Sequence, residues 1–214
     1  DTRFDRVVAI ASQVKSFPAV EYFLQGRRAF IAGSTWPDDE NLLAQYIKAQ
    51  HPGFPVIIAP HEIQEAHLKK IEELFNGNAI RYSQLQRVQN TSHAILIIDN
   101  IGMLSSLYQY GFAAYIGGGF NQGIHNILEA ATFGLPVIFG PRYHQFNEAV
   151  ELVAQETAFP VNNLAELSQK IAVLQMANEL LLASAKARKY VQNRAGATGI
   201  IMEYIQAKRI LTRE

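Results

Sequence analysis

Four glycines within seven residues, Gly117, Gly118, Gly119 and Gly123, are followed by His125, Asn126 and then Glu129. Glycine lets a backbone take positive φ and approach a ligand with no Cβ in the way. A tight strand-to-helix turn alone needs fewer. His125 and Asn126 stand where a helix is expected to begin, so they can cap it, contact a phosphate, or both. Unpaired N–H groups and the positive end of a helix dipole suit an anion. Glu129 is flanked by Ile127, Leu128, Ala130 and Ala131, and a carboxylate in apolar surroundings needs a partner. A sugar hydroxyl would serve. Together these residues read as a nucleotide site.

Two further loops follow expected strands. In Gly33-Ser34-Thr35-Trp36-Pro37-Asp38-Asp39-Glu40, Ser34 and Thr35 can cap the next helix or bind a phosphate or a substrate carboxylate. Pro37 suits the first turn, and the acidic residues complement the helix dipole. For Asp38 and Asp39 that structural role is the preferred one. The other loop is Pro60-His61-Glu62. It is not a zinc-protease helix, because Glu65 stands where the second histidine would be and His67 is out of register. His61 is either a ligand contact or a plain loop residue.

Weaker signals are Gly102-Met103-Leu104 after Asp99, and Arg142, Tyr143, His144 and Asn147 after Gly140-Pro141. The basic run Lys186, Arg188, Lys189 and Arg194 reads as a solvated helix face. The Gly-x-Gly-x-x-Gly pattern of dinucleotide enzymes is not met, since Gly119 and Gly123 are wrongly spaced.

What must position these loops is an alternation of strands and helices. Strands are expected at 29–32, 55–59, 79–82, 94–98, 113–116, 136–139 and 158–161. Helices are expected at 37–49, 64–75 and 103–110, from about His125, and at 145–154. The strands are continuous Val, Ile and Ala runs, as when both sheet faces are covered. Such alternation gives an α/β fold: one Rossmann-like parallel sheet, helices on both faces, right-handed crossovers and strand-end ligands. Residues 1–28 show no strong period, and Val7–Ala11 fits a short strand or an amphipathic helix. From Leu164 the chain reads as helical, with a break at Gly196 and Gly199 and a last helix reaching Ile210.

Composition bounds the rest. Of 214 residues 49% are hydrophobic and 18% charged, with zero formal net charge, enough for a folded core and unlike a dedicated nucleic-acid binder. Cysteine is absent, which removes disulfides and thiolate metal sites. No apolar run approaches the roughly 20 residues of a membrane span. The first residue is Asp rather than Met, and the chain is read as a soluble fragment.

In this order the motifs resemble the carboxy-terminal half of bacterial 3-deoxy-D-manno-octulosonic acid (Kdo) transferases, two-domain GT-B glycosyltransferases. Asp1–Asp5 is similar to the entrance of the second domain, Gly33–Glu40 to the Ser-Thr loop, and Asp99–Leu104 to the stretch before a short helix. Gly117–Gly119 with Gly123–Glu129, Phe139–Pro141 and Asn147 resembles the most specific block.

The resemblance implies a CMP-Kdo donor domain over 1–214, with 1–28 an interdomain lead-in and 178–214 carboxy-terminal helices. Ser34 and Thr35 would meet the sugar or phosphate, with Pro60 and His61 alongside. Gly102, Met103 and Leu104 would line the nucleotide. Asn126 and the helix start would bind the phosphate, Glu129 would hold the ribose hydroxyls, and Gly118, Gly119, Gly123, His125 and Asn147 would also belong to the CMP-Kdo site. The reaction it implies is inverting, needs no cofactor and no metal, and passes Kdo to a lipid A precursor bound by an absent amino-terminal domain. That domain also carries the catalytic base, so no catalytic residue is assigned here. The full protein would work at the cytoplasmic face of the inner membrane. One departure is that the family's second loop commonly has arginines after its proline, whereas this chain has His61; His61 or Arg142 would supply the replacement. Two other readings stay open: another GT-B transferase or sugar-nucleotide epimerase using a UDP-sugar, and a non-catalytic α/β interaction module.

Overall fold

The computed structural model describes residues 1–85 and 93–208. Two helices, α1 (Thr2–Ser12) and α2 (Pro18–Leu24), precede β1 (Ala29–Thr35) and α3 (Pro37–Gln50). Then come β2 (Val56–Pro60), α4 (Glu65–Leu74), β3 (Ala79–Arg81), α5 (Tyr82–Leu85) and β4 (Ile95–Ile97). A short helix α6 (Leu104–Leu107) runs through a 3₁₀ turn (Tyr108–Tyr110) into β5 (Gly111–Ile116). The remainder is α7 (Leu128–Thr132), β6 (Val137–Phe139), α8 (Asn147–Ala154), β7 (Ala158–Pro160), α9 (Leu164–Leu174), α10 (Ala177–Gln192) and α11 (Ala197–Ala207).

Among the described residues the strands form one parallel sheet in the order β3-β4-β2-β1-β5-β6-β7. On one side of β1 lie β2, then β4 inserted before the edge strand β3; on the other side β5, β6 and β7 follow in sequence. The direction of winding reverses between β1 and β5, which opens a crevice at their carboxyl ends. Successive side chains of β1 point to opposite faces: Ile31 packs with α1, α2, α7, α8 and α10, while Phe30 and Ala32 pack with α3, α4 and α9. Helices therefore cover both faces, as the unbroken apolar strands demand. Each fully buried Ile or Leu in these layers contributes about 1.5–3 kcal/mol.

The amino-terminal stretch is helical, and it is part of the core. Phe4 and Val7 of α1 and Val20, Phe23 and Leu24 of α2 are buried. Asp5 of α1 accepts the N–H groups of Gly196 and Thr198 and the Thr198 hydroxyl, so the first helix caps the last. The break before α11 lies at Gly196, whose φ is +113°, and Gly199 sits inside the helix. The helix expected to reach Ile210 is described to Ala207, and 209–214 lie outside the described residues. Among the described residues no helix is long and apolar enough to cross a membrane.

Candidate functional site

The carboxyl end of β1 is irregular where the site begins. Ser34 takes φ +50°, and the pairing with β2 slips between Gly33 and Thr35. The slip turns Thr35 into the interior, where its Oγ1 donates to Glu40 Oε1 at 3.0 Å. Neither Ser34 nor Thr35 caps α3, contrary to the sequence expectation. Both are strand residues, and the helix starts one step later at Trp36 and Pro37. Asp39 performs the capping: its Oδ2 accepts the Trp36 N–H at 2.9 Å.

Asp39 is 1% exposed and does more than cap. The same Oδ2 accepts the Gly118 N–H at 2.9 Å, and Oδ1 accepts the Tyr115 hydroxyl at 2.7 Å. One carboxylate thus joins the β1–α3 loop, the end of strand β5 and the glycine turn. Burial pushes its carboxyl up, and the donors of Gly118, Trp36 and Tyr115 oppose that shift. The glycines serve this close packing. Gly118 has φ +91°, and a Cβ there would collide with the Gly123 carbonyl oxygen; a Cβ on Gly119 would lie 2.6 Å from the Gly140 nitrogen.

Three rings meet above this turn. Trp36 Nε1 donates to His125 Nε2 at 2.9 Å, and the planes of the two rings are parallel to within 6°. His61 stacks on both, its centroid 4.5 Å from Trp36 and 4.7 Å from His125. It is held there by the backbone, since its N–H donates to the Thr35 carbonyl at 2.9 Å from the end of β2 at buried Pro60. Beside the rings is a cavity of about 570 Å³ lined by Trp36, Gly118, Gly123, Ile124, His125 and Arg142. Arg142 is anchored by its N–H to the Gly119 carbonyl and by its guanidinium to the Asn121 carbonyl. Burial holds the His125 imidazole below its ordinary value, and neighbouring His61 adds to this.

The helix expected to begin near His125 begins at Leu128 and is five residues long. Residues 124–127 are irregular because the Asn126 side chain accepts the Leu128 N–H at 3.0 Å, holding the backbone in a side-chain-closed turn. His125 does not cap a helix; its N–H donates to Gly117 O at 3.2 Å. Asn126 Nδ2 donates to Glu129 Oε1 at 3.2 Å. Burial raises the Glu129 carboxyl, opposed by Asn126 and by Arg6 of α1.

Other expected residues fall around this centre. Leu104 and the Tyr108 hydroxyl lie over Gly33, where a Cβ would meet them, so the Gly102–Leu104 turn borders the end of β1. Met103 is buried and Gly102 exposed. Asn147 lines a different cleft with Asp1, Arg3, Phe4 and Arg194. Among the described residues no three His, Asp or Glu side chains are grouped to hold a metal ion. Sequence reasoning passed over Trp36 and the links from Asp39. A tryptophan directly after a strand and before the helix-opening Pro37 was the available signal.

Over 146 residues, 67% of this chain, the sequence is 31% identical to the 3-deoxy-D-manno-octulosonic acid transferase of Aquifex aeolicus. Over 195 residues, 86% of the chain, it is 29% identical to that of Rickettsia prowazekii. The chain spans about two fifths of the length of these curated relatives, 40% and 41% respectively. No family model matches it. The crystal structure of the C-terminal CMP-Kdo binding domain of WaaA from Acinetobacter baumannii superimposes with a TM-score of 0.65 at 22% identity, covering 88% of this chain and 99% of that one. Anabaena HepE in complex with UDP gives 0.62 at 13% identity, covering 95% of this chain and 55% of that one. These two likenesses establish the fold. The chain is thus a homologue of the 3-deoxy-D-manno-octulosonic acid transferases, carrying the parallel α/β fold of a GT-B carboxy-terminal domain.

Proposed function

We propose that this chain is the donor-binding domain of a transferase that moves Kdo from CMP-Kdo to a lipid A precursor. The observation that carries the reading is the meeting of three strand-end loops at the winding reversal. There His61, Trp36 and His125 stack beside a glycine turn, in a sequence related to Kdo transferases. The named ligand contacts are Ser34, Pro60 and His61 toward the sugar, Gly102–Leu104 along the nucleotide, and Asn126 and Glu129 toward phosphate and ribose. Thr35 supports the site through Glu40, since its hydroxyl is committed there.

In the proposed reaction an acceptor hydroxyl oxygen forms a bond to the anomeric carbon of Kdo. The bond from that carbon to the phosphate oxygen breaks on the opposite side, and CMP departs as an anion. The hydroxyl proton goes to a carboxylate outside this chain. Helix α7 is too short to act as the expected dipole, so the positive charge that stabilises departing CMP falls to Arg142 at the cavity wall. No metal is required by this scheme. The full protein would act at the cytoplasmic face of the inner membrane, where its lipid acceptor lies.

Calorimetry and thermal unfolding of the 214-residue chain with CMP and with UDP test the reading. CMP is expected to raise Tm and UDP to do so less. No response of the folded chain to about 1 mM CMP, a ligand excess that would stabilise any binder of micromolar affinity, sinks the donor assignment. A stronger response to UDP replaces it with a uridine-nucleotide enzyme, and no response to either leaves the interaction module.

A further inference from the structure

The indole Nε1–H is a donor and nothing else, so the atom that receives it must present a lone pair. His125 Nε2 is that atom, at 2.9 Å. A doubly protonated imidazole has no lone pair there, and neither has the Nε2–H tautomer. The bond therefore fixes His125 as the neutral ring with its proton on Nδ1. Among the described residues Nδ1 has no hydrogen-bond partner, and it is not a buried atom. The ring borders the cavity that also holds Arg142.

We propose that Trp36 is a positioning residue that locks His125 in its Nδ1–H form, so that the cavity offers an oriented neutral donor to an oxyanion of the nucleotide-sugar. The oxyanion rests on the donor-domain reading above; the lock does not. Three features support it. The 2.9 Å bond between rings whose planes are parallel to within 6° suits an indole N–H aimed at an imidazole lone pair. His61 stacked across both rings resists their rotation apart. Finally, Trp36 is itself fixed, since Asp39 binds its N–H and Pro37 follows it. His61 is the titratable group stacked on His125, Arg142 lines the same cavity, and Asp39 binds the neighbouring Gly118 N–H. A protonated His125 would add a cation to the cavity that Arg142 also lines and lose the Trp36 bond at once.

The test uses the whole chain, labelled with ¹⁵N-histidine, and three forms: wild type, Trp36→Phe and Trp36→His. An imidazole can put its Nε2–H where the indole Nε1–H stands, so Trp36→His keeps the donor whereas Trp36→Phe removes it. In wild type the His125 Nε2 resonance is expected at the unprotonated position. In Trp36→Phe the tautomers should mix and the His125 titration should move to higher pH, because a bond available only to the neutral form is lost. CMP binding should weaken about tenfold, the loss expected for one hydrogen bond to a charged group. Trp36→His should restore the resonance position and most of the affinity. A wild-type Nε2–H tautomer, or an unchanged tautomer in folded Trp36→Phe, overturns the lock. If the lock is observed and CMP does not bind, the donor-domain reading fails and takes the oxyanion role of Nδ1 with it. If CMP binds equally to all three forms, the lock has no part in binding and the positioning role is lost.

Discussion

Asp39 Oδ2 accepts the Gly118 N–H at 2.9 Å across 79 residues of sequence. This bond fastens the loop after β1 to the turn after β5 at the reversal of the sheet, where the candidate site is built.

Removing it should be costly. Asp39→Ala leaves two N–H groups and a buried tyrosine hydroxyl without their acceptor, and should lower unfolding free energy by about 3 kcal/mol or more. Asp39→Asn keeps an oxygen for the two N–H groups and an amide for the Tyr115 oxygen, so it should cost less than half as much. Urea unfolding of the three proteins compares them. Equal losses for Ala and Asn would show that charge rather than hydrogen-bond geometry holds the turn.

The glycine turn admits a sharper test. Gly118→Ala must take φ near +91° and meet the Gly123 carbonyl, a combined strain of about 2–4 kcal/mol. The variant should unfold at clearly lower urea and lose its response to CMP. A variant as stable as wild type would mean that the turn can be closed in another way.

Glu40 gives a pH dependence of known sign. Its Oε1 accepts from Thr35 and its Oε2 meets His67 Nε2 at 2.8 Å, while His67 Nδ1 faces the Glu62 carbonyl and so must carry a proton. Burial raises the Glu40 carboxyl above its ordinary range, with His67 and Thr35 opposing. A carboxyl raised on folding favours the folded state while protonated, and that advantage is lost as pH climbs through the raised value. Relative to the uncharged Glu40→Gln, wild type should therefore lose stability as pH rises from about 4, the ordinary glutamate range, through the raised value. Measured urea midpoints that run parallel across this range would refute the shift.

Arg142 and Glu129 should separate by salt. Arg142→Ala should weaken CMP binding about tenfold at low ionic strength and less at high, because a cation–phosphate contact is screened. Glu129→Ala should weaken binding with little salt dependence, as expected for a carboxylate that accepts from ribose hydroxyls. Titration calorimetry at two salt concentrations distinguishes them.

The strands were legible because strands covered on both faces must be apolar throughout, and runs such as Val56–Ala59 and Ala113–Ile116 satisfy that. Local competition spoiled the boundaries. β1 runs on through Ser34 to Thr35 across a register slip at which Ser34 takes φ +50°, which no pattern of apolar residues announces. Ile124-His-Asn-Ile127 has helical spacing, yet Asn126 closes on the Leu128 N–H and delays the helix. The site's composition was readable and its geometry was not. His61 and His125 were both in view, but that they stack on each other and both meet Trp36 depends on pairing across residues 36, 61 and 125, far apart in the chain.

Trp36 is the only tryptophan of the 214 residues. All indole fluorescence of the chain therefore originates at the junction of His61 and His125, and protonation of a contacting imidazole or entry of a ligand should change its intensity directly. The sequence thus carries its own optical probe beside the candidate site.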